Sequence, residues 1–252
     1  MVRAGGEIVR SASGRSAAEP TLLRRRHALV VALTFVTGCA DAMGFLSLGG
    51  AFSSVMTGNM VLLGLSAGKA DLSLATTSAA AIASFVVGVL IGAHVAGVAK
   101  ADDPVWPSAV TKALGLEIVV FSVLLVVWEL TLGSRSEDLQ LGLLMLSAAA
   151  LGVQSSAIQR FGVPGLSSTY LTGTLTALIG AVAARSSGAV LLPKAQILLA
   201  LMTGAAVGAV VATHLPWLSP ALLVVPLAAV IAMGAWLPKN TSDPVASDEP
   251  RP

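Results

Sequence analysis

The sequence predicts an all-α polytopic membrane protein made of two homologous halves, and three observations lead there. Of 252 residues, 55% are hydrophobic and 11% charged, with a mean hydropathy of +0.86. A soluble domain carries about 25% charged residues, so this chain has too little polar surface to meet water on all sides. Its charges gather at the two ends and in short punctuations between apolar runs. Finally, the polar stretch "SSVMTGN" at 53–59 has an echo, "STYLTGT", at 168–174.

The elements follow in order. Residues 1–27 form a polar arm with six arginines and two glutamates, and the "RRR" at 24–26 anchors a first span from the cytoplasmic side. Apolar runs come next at 28–48, 59–68, 73–99, 107–132, 139–159, 173–184, 194–213 and 217–237, followed by a polar, proline-bearing tail at 238–252 that reads as disordered. A spanning helix needs about 20 mostly apolar residues. Six runs are long enough; the two that follow the polar stretches are not. "VTGC" before Cys39 imitates a lipoprotein cleavage site, but more membrane protein follows it, so the run is a first span.

The composition also excludes function classes. One cysteine cannot form an intrachain disulfide or hold a structural zinc by itself. A formal charge of +2 argues for no nucleic-acid partner. No serine–histidine constellation or phosphate-binding glycine loop is present, so the sequence predicts neither an enzyme nor a cofactor. Its expected surroundings are the lipid bilayer and a small solute.

The internal echo extends beyond one motif. "GCAD" at 38–41 falls opposite "GVQS" at 152–155, and "GVLIG" (Gly88, Gly92) opposite "GAAVG" (Gly204, Gly208). The separations are 114, 115 and 116 residues, in order along the chain. The halves are therefore set at 28–132 and 139–237.

Taken together, "GCADAMGFLSLGGAFSSVMTGNMVLLGL" and "GVQSSAIQRFGVPGLSSTYLTGTLT" resemble the YoaK-type bacterial membrane proteins of unknown function (DUF1275). The resemblance covers nearly the whole apolar region and implies a bacterial inner-membrane protein of this size. It supplies no substrate.

Two topologies are open. If the short runs cross, there are eight spans; if each returns to the side it entered from, there are six and the halves are inverted. Eight spans put Lys69, Arg135, Arg185 and Lys194 inside, with Lys100, Lys112 and Arg160 outside. Six put Lys100, Lys112, Arg160, Arg185 and Lys194 inside and only Lys69 and Arg135 outside, the better fit to positive-inside bias. Length agrees: eleven residues from Gly58 to Gly68 cover roughly half of a ~30 Å hydrocarbon core. We therefore expect two half-helices, with both termini cytoplasmic.

A half-helix has unpaired N–H groups and partial positive charge at its N-terminus. With Thr57 and Thr172 as caps, and Gly58 and Gly173 permitting close approach, the two ends would form a solute site. Its candidate binding residues are Ser53, Ser54, Thr57, Gly58, Asn59, Gln154, Ser155, Ser168, Thr169, Thr172, Gly173 and Thr174. The alternative is that these small residues only pack helices. Asp41, deep in the first run, is the first candidate for proton or ion coupling, the alternative being a structural acid bonded to hydroxyls of the other half. Glu117 is the second, unless its helix starts near Leu114 and leaves it interfacial beside Lys112. Gly88/Gly92 and Gly204/Gly208 are GxxxG faces for close helix contact, including contact between copies of the chain. Trp106, Trp128, Trp217 and Trp236 read as interfacial belt residues, while His94 and His214 lie near helix ends without ligand-like companions. The functional expectation is a transporter or channel for a small polar or anionic solute, possible proton coupling included. The other reading is a membrane scaffold or sensor that transports nothing.

Overall fold

The computed structural model describes residues 4–99, 103, 106–161 and 171–236, with side chains from residue 24 onward. Within them the chain is helical: α1 (Ala4–Ser47), α2 (Met56–Lys69), α3 (Leu72–Ala96), α4 (Ser108–Leu130), α5 (Glu137–Gln159), α6 (Leu171–Ala183), α7 (Gly188–His214) and α8 (Ala221–Ala235), with a 3₁₀ turn at Pro216–Leu218. Six segments are long and apolar enough to span: Arg24–Ser47, α3, α4, α5, α7 and Pro216–Ala235. α2 and α6, with 14 and 13 residues, are too short. The helix containing the arginine-rich arm reaches back to Ala4, where the sequence suggested only a polar arm. The tail beyond residue 236 lies outside the described residues.

Local chemistry sets several of these ends. Asp71 caps α3, its carboxylate accepting from Leu74 N at 3.0 Å, and Gly97 at φ +65° ends that helix. Ser136 caps α5 through Leu139 N, and Glu137 and Asp138 put negative charge on its first turn.

Helix directions decide the topology. α1 and α7 run parallel, since His27 meets Gln196 at 2.9 Å while Gly204 sits on Phe35 and Gly208 on Cys39. α3 and α5 run parallel too, Gly88 resting on Ala149 and Gly92 on Val153. α1 and α5 run antiparallel: Arg26 donates to the Phe161 carbonyl at 3.2 Å, whereas Gln154 donates to Thr37 Oγ1 at 2.8 Å. Hence α1 opposes α3, and α5 opposes α7. Neither α2 nor α6 crosses, and the eight-span alternative is set aside. Gly49, just past α1, duly lies against Thr77 near the start of α3.

α1 and α5 form the centre, with 67% and 72% of their most apolar stretch buried against 28–33% for the other four spans. The remaining helices present apolar side chains outward, as Val87, Leu90, Val119, Val126, Met202 and Val225 do, the arrangement a lipid environment selects.

The glycine faces are used inside the chain. A Cβ on Gly88 would enter the backbone of Ala149, one on Gly152 the backbone of Phe85, one on Gly204 that of Phe35, and one on Gly38 that of Leu201. Homo-oligomer formation through Gly88/Gly92 or Gly204/Gly208 is therefore corrected: these surfaces already hold α3 on α5 and α7 on α1, at backbone-to-backbone distance. The tryptophan expectation needs a similar correction. Trp106 and Trp128 are buried: Trp106 packs tilted on Phe161 at 5.6 Å and beside Gly234, and Trp128 donates to Pro216 O at 2.8 Å. Only Trp217 and Trp236 are exposed.

Candidate functional site

The polar stretch after α1 is built by a reversal of the chain. Gly49 and Gly50 adopt φ +97° and +80°, a region L side chains rarely enter, and turn the chain back along α1. Gly44 has no side chain to obstruct the return, and Ser53 Oγ occupies the space where its Cβ would sit. Ser53 Oγ donates to the Ala40 carbonyl at 3.3 Å. Asn59 then clamps the segment: its Oδ1 accepts from Phe52 N at 2.9 Å and its Nδ2 donates to Phe52 O at 2.7 Å. Phe52 stacks on Phe45 with centroids 4.9 Å apart.

Asp41 lies at the focus of this reversal. One carboxylate oxygen accepts from Ser54 N at 2.7 Å and the other from Ser54 Oγ at 2.6 Å. Ser54 immediately precedes Val55, the N-cap of α2, at the end where the helix dipole concentrates positive charge. The anion expected at the α2 N-terminus is thus the protein's own Asp41. Of the sequence alternatives, the structural role fits this geometry, except that the hydroxyl belongs to Ser54 of the same half.

Thr57 is not the cap. α2 starts at Met56, its N-cap is Val55 without a side-chain bond, and Thr57 is exposed in the first turn. The Asp41 carboxylate is bonded one residue ahead of the N-cap, at Ser54, and not to the first-turn amides of α2. Gly58 fits closely against the Phe52 ring and Val55. Thr172 is also exposed, the second residue of α6. Ser168 and Thr169 lie outside the described residues, and Gly173 lies in the first turn of α6. The buried residues of the short helices are polar: Asn59 and Ser66 in α2, Thr174 in α6. Asn59 and Thr174 are each the fourth residue of their helix.

On α5, Gln154 and Ser155 are both buried. Gln154 Nε2 bonds Thr37 Oγ1, which itself donates to Leu33 O at 3.0 Å; Gln154 Oε1 has no partner. This pair lies where the two central helices meet.

Glu117 departs from the interfacial expectation. α4 begins at Ser108, not near Leu114, which carries Glu117 into the bundle on the same buried face as Leu114 and Phe121. It is fully buried, neither carboxyl oxygen has a partner, and no ion pair with Lys112 forms.

The ends of the bundle hold the remaining charged contacts, which sequence spacing did not reveal. Arg160 pairs with Asp103 at 2.7 Å at one end. At the other, the Arg135 guanidinium lies 3.5 Å from the Trp128 ring centroid. Burial lowers the Arg135 pKa, and nearby Glu129 opposes that shift. Cys39 is buried with its thiol on Gly204 O at 3.2 Å, so it reports on the α1–α7 contact and not on a pathway. Among the described residues no group of three or more His, Cys, Asp or Glu converges as metal ligands.

Comparison with known proteins agrees with this architecture. The chain is 38% identical over 160 residues to the UPF0700 transmembrane protein YoaK of Bacillus subtilis (strain 168), covering 64% of this chain and 68% of that protein. No solved structure matches. Residues 29–235, from the first span to the end of α8, match the family described as "Protein of unknown function (DUF1275)", and the chain belongs to that family of membrane proteins.

Proposed function

We propose that this membrane protein moves a small polar solute across the bacterial inner membrane, without enzymatic chemistry. The observation that carries the reading is the half-used amide of Gln154 where α1 and α5 meet. A buried amide oxygen without a partner is costly, and in a membrane interior that cost is typically borne where a passing ligand supplies the missing bond. Two short helices flanking the spans, one per half and returning from opposite ends, support the same reading. Glycine contacts that recur in both halves, Gly88 on Ala149 and Gly204 on Phe35, support an inverted pair of halves. An anionic solute at the α2 end is disfavoured, because Asp41 fills that position.

Both termini are proposed to face the cytoplasm. Arg26, Lys112, Arg160 and Lys194 belong to the bundle end that carries Trp106, Phe161 and Gly234, while Lys69 and Arg135 belong to the other. Cysteines placed at 69 and 135 should react with an impermeant maleimide from outside intact cells, and a cysteine at 112 should not.

The test of transport is Gln154→Cys in a Cys39→Ser background, reconstituted in vesicles and treated with a small methanethiosulfonate. A transporter exposes position 154 to water from at least one side. A scaffold or sensor keeps it dry, and a folded variant that never reacts from either side removes the transport reading.

A further inference from the structure

The unpaired polar atoms buried among the described residues divide by depth. The obligate donors, Arg135 Nη1 and Arg160 Nε, lie at the two ends of the bundle. Inside the spans the unpaired atoms are the obligate acceptor Gln154 Oε1, Glu117 Oε1 and Oε2, which only accept when the carboxyl is ionised, and the hydroxyls of Ser78, Ser147 and Ser219, which can do either. An interior that holds unpaired acceptors and no unpaired obligate donor is complementary to positive charge.

Glu117 dominates that inventory. On its own helix it sits in a stripe of Val110, Ala113, Leu114, Phe121, Leu124 and Trp128, with Lys112 and Glu129 more than a turn away. α4 packs against α3, α5 and α8. α8 carries no titratable side chain, α3 has only the exposed His94 in its last turn, and the charges of α5 are confined to its ends at Glu137, Asp138 and Arg160. Asp41 of α1 is committed to Ser54. No charged protein group among the described residues neutralises the Glu117 carboxylate, and an uncompensated ion in this setting costs several kcal/mol.

We propose that Glu117 is the ligand of an intramembrane cation site, taking either a proton or the N–H donors of a small ammonium-type cation. The two exchange one for one. The proton leaves the carboxyl for bulk water as the cation arrives, and the site stays neutral in both states. This is a statement about binding and holds whether or not the cation is then carried across, so a failed transport assay leaves it standing.

The experiment compares wild type with Glu117→Gln by thermal unfolding in detergent. The probes are pH, methylammonium chloride, and tetramethylammonium chloride at equal ionic strength as the cation without N–H donors. A methylammonium-dependent rise in Tm that tetramethylammonium does not reproduce and Glu117→Gln abolishes identifies an ammonium ligand. A pH response lost in Glu117→Gln, with no methylammonium effect, identifies the proton alone. A second measurement needs no variant: dicyclohexylcarbodiimide, which attacks protonated carboxyls in apolar surroundings, should modify Glu117 in wild-type membranes and spare Asp41. If Glu117→Gln fails to fold, this labelling decides. Identical pH and cation responses in both proteins, with Glu117 unmodified by the carbodiimide, would overturn the site.

Discussion

Asp41 and Glu117 are both carboxylic acids buried in spanning helices, yet they meet opposite surroundings. Asp41 accepts from the Ser54 amide and hydroxyl, and it faces the N-terminal end of α2. Glu117 accepts from nothing and lies in an apolar stripe. The first carboxylate replaces its lost hydration with fixed donors and holds the chain reversal at 49–55 in place. The second has lost its hydration without replacement by any fixed donor. Burial alone therefore does not distinguish the two acids; the count of fixed donors does.

The largest expected effect tests the structural half of that contrast. Asp41→Ala leaves the Ser54 amide and hydroxyl unpaired and should cost about 2–5 kcal/mol in unfolding free energy. A loss smaller than that of an ordinary surface change would dissolve the contrast. Ser54→Ala removes one of the two bonds and keeps the backbone donor, so it should cost about 1.5–3 kcal/mol. In a double-mutant cycle its effect should largely vanish once Asp41 is already alanine. Glu117→Leu works in the opposite direction. It extends the stripe of Leu114 and Phe121 and removes an unpaired carboxyl, so it should raise stability by about 1–3 kcal/mol, read as a higher melting temperature in detergent without added cation. Destabilisation by this change would mean that Glu117 has a structural partner after all. The smallest effect belongs to Thr57→Ala, expected within about 0.5 kcal/mol because the exposed hydroxyl caps nothing. A loss near 1 kcal/mol would restore Thr57 as a cap.

Much of this was legible in the residues, for physical reasons. The positions of the spans follow from hydropathy and length, because a bilayer leaves helices few alternatives. The two short helices were visible as apolar runs too brief to cross, and the structure begins them at Met56 and Leu171, within two residues of Gly58 and Gly173. Asp41 was conspicuous as an acid at depth. Its role was not, since a linear sequence cannot tell which donors a reversal will deliver to a carboxylate 13 residues upstream. The interfacial expectation for Glu117 failed on a boundary: α4 starts at Ser108, six residues before the Leu114 start that the expectation required. The glycine faces were recognised as contact surfaces, but composition could not say whether the partner was another helix of the same chain or another copy.

By itself, the sequence determined the membrane class, the six long apolar runs and the two short ones, because each depends on local hydropathy over a fixed bilayer thickness. Tertiary structure alone decided the directions of the helices, the internal use of Gly88, Gly92, Gly204 and Gly208, and the division between a saturated Asp41 and an unpaired Glu117. Those properties depend on which side chains converge across the bundle. Convergence is set by packing between segments more than a hundred residues apart, such as Arg26 with Phe161 and Thr37 with Gln154.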